Sequence, residues 1–175
     1  MSKVLVVVYS YTGASRRVAE LLRGQQGWPI ADITDAVPRH GPFSGLRCVL
    51  DSLLRRRPAI RYEGPFLQDF GTVVLVAPIW ARRLAGPMRS FLASRHDHLR
   101  DVALISVMGG SGAPNAVAEV GRLLGRSPLL STAFTTAEVD DGSFATRLQA
   151  FGTALRDARK SSEVVRPVTL SPQSA

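Results

Sequence analysis

Residues 3–15 have the sequence KVLVVVYSYTGAS. The first part, residues 4–8, is continuously apolar and rich in β-branched side chains, which is typical of a strand buried on both faces in a parallel sheet covered by helices. The polar turn that follows leads into a helical pattern over residues 13–23, which we expect to end at Gly24. A buried strand followed by a polar turn and a helix indicates an α/β fold.

The same pattern recurs along the chain. Apolar runs at residues 73–77, 102–107 and 129–134 predict three more strands, and residues 30–33 predict a shorter one. Amphipathic patterns between the runs predict helices at residues 46–54, 87–92, 114–124 and 144–155, the middle two each beginning with a proline. Since strands and helices alternate throughout, we expect β-α-β crossovers in a doubly wound sheet of five parallel strands, with helices on both faces.

Composition places the chain among ordinary globular proteins. It has 175 residues, of which 45% are apolar and 21% charged, so we expect one domain over residues 1–160 and a flexible tail over residues 161–175. The single cysteine, Cys48, excludes an internal disulfide. No apolar run approaches the roughly 20 residues of a membrane helix, so we expect a cytoplasmic protein without a membrane span.

The chain is strongly basic, with 22 Lys and Arg against 14 Asp and Glu and a formal net charge of +8. This balance favours anionic ligands or an acidic partner surface. The densest patch, residues 55–57 with Arg47 and Arg61, has no nucleic-acid-binding motif beside it, so we do not expect nucleic acid as a partner. The alternative interpretation is that residues 55–57 form a solvated helix end, where positive charge is favoured by the helix dipole. The histidines lack the spacing of metal ligands, so no metal site is expected.

Ligands of open α/β sheets bind outside the carboxyl ends of the strands, where the strand order reverses. The loop after the first predicted strand offers hydroxyl groups and a glycine at a helix start, namely Ser10, Tyr11, Thr12, Gly13, Ala14 and Ser15. Free N–H groups and the positive end of the helix suit a phosphate there. The loop lacks the further glycines of dinucleotide- and nucleoside-triphosphate-binding motifs, so a terminal monophosphate fits better. A plain helix N-cap is the alternative interpretation.

Arg16 and Arg17 follow in the first turn of the same helix. Cations at this position oppose the helix dipole, so two together are unfavourable unless an anion lies nearby. Extension of both side chains into solvent is the alternative.

Two further loops have unusual compositions. The loop after residues 73–77 contains Pro78, Ile79, Trp80 and Ala81. We expect Trp80 to stack on a planar ligand, with a core position under the next helix as the alternative. The loop after residues 102–107 contains Met108, Gly109, Gly110, Ser111 and Gly112. Its glycines let the backbone approach a ligand, or form a flexible turn. Together the three loops predict a pocket for a phosphate and a flat heteroaromatic ring.

These residues resemble the flavodoxin family. The pattern Ser/Thr-x-Thr-Gly-x-Thr/Ser of its phosphate loop is matched by Ser10, Thr12, Gly13 and Ser15, and the likeness extends over about residues 3–156. The resemblance implies a sheet of order 2-1-3-4-5 and noncovalent FMN. The loop from Ser10 to Ser15 is then expected to hold the phosphate. Pro78, Ile79 and Trp80 line one side of the isoalloxazine in this interpretation, and residues 108–112 line the other.

Two departures from the family pattern bear on function. Many electron-carrier flavodoxins place a tyrosine in the loop after the fourth strand and are acidic, whereas residues 109–112 contain no aromatic side chain and this chain is basic. One hypothesis is an FMN protein that transfers electrons between redox partners. The alternative is an NAD(P)H-dependent FMN oxidoreductase that reduces a quinone or similar small acceptor, with Arg82 and Arg83 attracting the dinucleotide phosphates. No catalytic side chain is expected in either case, because the cofactor carries the chemistry.

Overall fold

The computed structural model describes residues 3–36, 50, 54 and 56–165 of the chain. The first predicted strand becomes β1 at the centre of a sheet whose strands are β1 (Lys3–Tyr9), β2 (Ile30–Asp35), β3 (Ile60–Glu63), β4 (Phe70–Trp80), β5 (Arg83–Leu84), β6 (Asp101–Met108) and β7 (Leu130–Thr135). Six of these strands lie in the order β3-β2-β1-β4-β6-β7, and the seventh, β5, pairs with β4 alone. The predicted α/β class with a mostly parallel sheet is confirmed.

The predicted count of five strands was wrong. The edge strand β3 pairs antiparallel with β2, with Thr34 opposite Arg61, and the short β5 pairs antiparallel with the end of β4. Both come from segments that the sequence pattern assigned to connections, since neither has an apolar run of its own. The other five strands are parallel. If only these five are numbered, from 1 to 5 along the chain, their order in the sheet is 2-1-3-4-5. The expectation that every connection is a β-α-β crossover fails at the two antiparallel pairs.

Within the described residues, five helices lie on the two faces of the sheet: α1 (Ala14–Gln26), α2 (Gly86–Arg95), α3 (Ala113–Leu124), α4 (Thr136–Asp141) and α5 (Ala145–Val165). Side chains of α1 and α5 fill one core, and those of α2 and α3 fill the core on the opposite face. Pro87 and Pro114 lie in the first turns of α2 and α3, as predicted, and Gly125 ends α3 with φ +69°. No helix in the described part of the chain is long and apolar enough to cross a membrane.

The continuous apolar run of β1 reflects its place between the two cores. Val4, Val6 and Val8 pack on one face of the sheet, and Leu5 and Val7 pack on the other. All five side chains are buried. A strand with one face in water would alternate apolar and polar residues, so the unbroken run correctly predicts a strand covered on both faces.

The end of α1 differs from the prediction. The helix continues past Gly24 and ends at Gly27, where φ is +72° and the N–H donates to the carbonyl of Arg23 at 2.8 Å. The added turn is held by α5, because the Gln25 amide donates to the Ala145 carbonyl at 3.1 Å. The predicted helix at residues 46–54 lies outside the described residues except at positions 50 and 54.

The end of α5 reaches into the segment predicted to be a tail. The helix runs to Val165, and residues 166–175 lie outside the described part of the chain.

Candidate functional site

The three predicted loops lie at one edge of the sheet. Strands β1, β4 and β6 are parallel neighbours, so their carboxyl ends point the same way. The loop after β6 touches the turn after β4, since a Cβ placed on Gly112 would lie 2.6 Å from the Arg82 Cα atom. The first loop reaches the end of β4 through Tyr11, whose ring centroid lies 5.9 Å from that of Trp80. The structure therefore brings the end of β4 and its turn into contact with each of the other two loops.

The loop after β1 is built around the start of α1. Gly13 is the helix N-cap with φ +96°, and a Cβ added to it would meet no atom within 4 Å. The Ser10 hydroxyl oxygen accepts hydrogen bonds from the N–H groups of Gly13 and Arg16, each at 3.2 Å. Helix geometry leaves the N–H groups of Ala14 and Ser15 without an acceptor inside the helix. The loop thus combines a serine cap with further donors beside an open glycine.

The two arginines of the first turn have carboxylate partners. Arg16 pairs with Asp32 on β2 and, at 3.0 Å, with Glu20 one turn along α1. Arg17 pairs with Asp140 at 2.8 Å, although its side chain stays 62% exposed. The anion that offsets these charges is therefore supplied by the protein. Arg16 and Arg17 no longer argue for a phosphate at the loop, and the alternative, extension of both side chains into solvent, leaves out the ion pairs that these partly exposed arginines form.

Trp80 is the last residue of β4 and is half-buried at the rim of the site. Its ring meets those of Tyr9 and Tyr11 edge to face, at interplanar angles of 84° and 90° and a centroid distance of 5.9 Å in each case. The Tyr9 hydroxyl in turn donates to the Asp35 carboxylate at 2.9 Å. Edge-to-face contacts of this kind fix the orientation of a ring. The indole is therefore held by its neighbours while part of its surface remains accessible.

Tyr9 and Asp35 were missed as contributors to the site. Tyr9 is 2% exposed and extends the buried run of β1, so the sequence pattern gave it only a core role. An aromatic residue at the last position of a strand that opens onto a ligand loop was the available signal.

Trp80 is positioned by a strained two-residue turn. Ala81 and Arg82, which connect the paired residues Trp80 and Arg83 of the antiparallel hairpin, adopt φ values of +48° and +60°. Positive φ at both central residues is the geometry of a type I′ hairpin turn. A non-glycine residue there carries strain of order 1 kcal/mol or more, which persists only where the surroundings enforce it.

A buried ion pair beneath the hairpin holds the turn in this conformation. Arg89 of α2 pairs with Glu119 of α3, and their side chains are only 3% and 8% exposed. Arg89 also donates to the Leu84 carbonyl at 2.9 Å, and Glu119 accepts from the Leu84 N–H at 3.4 Å. Both backbone groups of Leu84 are thus tied to one charged pair, which anchors the hairpin to two helices.

The loop after β6 leaves open space above the sheet. Gly109, Gly110 and Ser111 are exposed, and a Cβ added to either glycine would meet no atom within 4 Å. Gly112, by contrast, is buried with φ +118° against the hairpin turn. Met108 is half-buried, and its carbonyl accepts from the Thr136 hydroxyl at 3.4 Å. A flat molecule beside Trp80 would therefore meet exposed backbone rather than bulky side chains on this side.

Comparison with solved structures identifies the fold. No sequence-family model matches the chain, and no curated protein matches it. A flavoprotein from Lactobacillus acidophilus, solved in complex with FMN, superposes with a TM-score of 0.66 at 17% identity, covering 82% of this chain and 99% of that one. A WrbA-like flavodoxin from Agrobacterium tumefaciens gives a TM-score of 0.55 at 12% identity, covering 91% and 99% of the two chains.

A flavodoxin from Streptococcus pneumoniae TIGR4 gives a TM-score of 0.54 at 13% identity, covering 89% of this chain and 99% of that one. The chain therefore has a flavodoxin-like fold. The family resemblance inferred from the loop after β1 is confirmed at the level of the fold.

Proposed function

We propose that the protein binds FMN noncovalently and functions as a redox protein. The observation that carries the proposal is the meeting of three loops at one sheet edge: a helix start with open donors, a held tryptophan and a glycine loop with free space beside it. A flavoprotein of the same fold contains FMN, which adds support.

The side chains and backbone present fit FMN. The phosphate would be held at the start of α1 by the loop of Ser10, Tyr11, Thr12, Gly13, Ala14 and Ser15, because backbone N–H groups and the helix dipole favour an anion there. The ring system would lie between the β4 end and the loop after β6, lined by Pro78, Ile79, Trp80, Ala81, Met108, Gly109, Gly110, Ser111 and Gly112. When bound, FMN supplies the redox chemistry, since it takes up and releases one or two electrons.

The residues of the chain bind and orient the ring and limit the access of water. Trp80 offers an apolar face whose position is set by Tyr9 and Tyr11. Arg82 and Arg83 place positive charge beside it, which favours negative charge on a bound molecule by Coulomb attraction. In the first form of the proposal, the protein transfers electrons between redox partners.

A specific observation favours a second form, an NAD(P)H-dependent FMN oxidoreductase acting on a quinone or similar small acceptor. Gly109 and Gly110 are exposed with no atom near their missing side chains, and no aromatic residue occurs in residues 109–112. One face of a bound ring would then be open to a second planar molecule.

FMN titration with tryptophan fluorescence tests the common part of both forms. The chain has two tryptophans. Trp28 precedes β2 at the opposite edge of the sheet and is 7% exposed. In the Trp28→Phe variant, Trp80 is the sole emitter, and we expect FMN to quench it with an unchanged Kd. Trp80→Ala should raise the Kd about 2- to 13-fold, because ring stacking contributes about 0.5–1.5 kcal/mol. Equal affinities for FMN in the two variants would contradict the placement of the ring.

Two measurements on the FMN-loaded protein distinguish the forms. Stopped-flow mixing with NADPH should bleach the flavin absorbance within seconds if the protein is an oxidoreductase, and should leave it unchanged if it is a carrier. A redox titration that shows two well-separated one-electron steps would favour the carrier, while a single two-electron step would favour the oxidoreductase.

A further inference from the structure

A basic groove runs beside the proposed FMN site, between the β4–β5 hairpin and α3. One cavity of about 320 Å³ is lined by Arg82, Arg83, Asn115 and Arg122, and an adjoining cavity of about 190 Å³ is lined by Arg57 and Arg122. Arg122 and Glu119 line both cavities, so the two lie side by side. We call Arg57, Arg82, Arg83 and Arg122 the arginine groove.

The positive charge of the arginine groove is not compensated within the described part of the chain. None of its four arginines pairs with a carboxylate there, whereas Arg16, Arg17 and Arg147 all do. Glu119 lies at the floor, but it is already paired with the buried Arg89. Four arginines thus line two adjoining cavities, and among the described residues the one carboxylate that lines them, Glu119, has its own counterion.

The chemistry of the groove suits phosphate. A guanidinium group binds phosphate oxygens through paired N–H donors, with geometry that a lysine cannot supply. The larger cavity has the volume of about ten water molecules, which is enough for a diphosphate and its nearest contacts. A concave space of this size favours a small molecule over the flat surface of a protein partner.

The position of the groove connects it to the proposed FMN site. Ala81 lines the larger cavity and is also one of the residues predicted to flank the ring. Arg82 also lines this cavity, and the turn that it forms with Ala81 has positive φ at both residues, a kind of strain that is typical of ligand-binding positions. A molecule that spans the turn could place phosphates in the groove and a planar group over the open face beside Gly109 and Gly110.

We propose that the arginine groove binds the diphosphate group of a nicotinamide dinucleotide. The proposal rests on the oxidoreductase form of the proposed function, and it assigns the recognition of that substrate to Arg57, Arg83 and Arg122 as well as to the turn residue Arg82. Binding is then electrostatic, and it weakens as added salt screens the four charges.

Calorimetric titration of the full chain with inorganic pyrophosphate, in the presence of excess FMN, tests the site. We expect the wild-type protein to bind pyrophosphate and the double variant R83Q/R122Q to bind it at least about tenfold more weakly, because each charge-assisted contact accounts for about that factor. The control R23Q removes one positive charge from an exposed position on α1, and it is therefore matched in charge to the single variant R57Q. Circular dichroism verifies the fold, and R57Q, outside the helices and strands, provides a second variant. No binding by the wild type, or an equal loss in R23Q, would overturn the proposal.

Two further readouts separate this proposal from the FMN proposal. With Trp28→Phe in both proteins, quenching of Trp80 by FMN should be the same with and without R122Q, while the KM for NADPH rises about tenfold in R122Q. If FMN fails to bind but pyrophosphate binding still needs Arg83 and Arg122, the FMN proposal falls and the diphosphate site stands. If FMN binds and the KM for NADPH is the same in both proteins, the groove assignment alone falls.

Discussion

Substitution of Gly112 by alanine should destabilise the protein because two costs coincide at this position. The backbone has φ +118°, and an added Cβ would lie 2.6 Å from the Arg82 Cα atom and 2.9 Å from Ile79 Cγ2. The strained backbone costs about 1–3 kcal/mol, and the clash with a close-packed neighbour costs about 1–3 kcal/mol more. Since the nearest atom is backbone, a rotamer change cannot relieve the contact. We therefore expect a loss of about 2–6 kcal/mol in the free energy of unfolding.

Gly110→Ala is the matched control from the same loop. Gly110 has no positive φ and no atom within 4 Å of an added Cβ, so we expect a change within about 0.5 kcal/mol. Urea denaturation of both variants without added flavin, followed by circular dichroism, measures the difference. For a chain of this size the Gly112→Ala loss corresponds to a fall in Tm of roughly 5–20 °C. Equal stability of the two variants would refute the packing of the loop after β6 against the hairpin.

Other predictions concern the charged groups. Arg89→Met should lower the free energy of unfolding by about 3–5 kcal/mol because it leaves Glu119 buried without its counterion; the double variant R89M/E119L should recover part of the loss, and no recovery in urea denaturation would count against the ion pair. Hydrogen bonds from the Thr135 backbone N–H and hydroxyl lower the pKa of Glu138. Its ionised form therefore adds stability above the ordinary glutamate pKa of about 4.3, and that stability is lost as the pH falls through the lower folded-state value. Glu138→Gln should accordingly be less stable than the wild type at pH 7 and equally stable in strong acid, and a Tm difference that persists there would show that the charge is not responsible.

The parts of the fold that follow from local pattern could be predicted from the sequence. The apolar run of β1 predicts a strand covered on both faces, and Pro114 and Gly125 mark the start and end of α3. The short strands β3 and β5 could not be predicted this way. A strand of four residues at the sheet edge and one of two residues in a hairpin owe their stability to the partner strand rather than to an apolar run.

Long-range partners explain the remaining differences. Gly24 predicts a helix end by its own preference, but Gln25 extends α1 by bonding to α5, far along the chain. The partners of Arg16 and Arg17 lie on β2 and α4, so their pairing could not be inferred from neighbours in sequence. At the candidate site, the composition of the three loops predicts which residues line the site. The contacts of the Trp80 ring with Tyr9 and Tyr11, and the buried ion pair that binds Leu84, depend on tertiary packing and could not be predicted in this way.

Amide chemical shifts recorded while FMN is added show directly whether FMN binds where the three loops meet. We expect the largest changes in the indole N–H signal of Trp80 and in the backbone N–H signals of Gly13, Ser15, Gly109 and Gly110, and we expect them to saturate at one FMN per chain. The indole N–H of Trp28, at the opposite edge of the sheet, should stay unchanged. Signals that do not move, or changes that cluster away from the carboxyl ends of β1, β4 and β6, would contradict this placement of FMN.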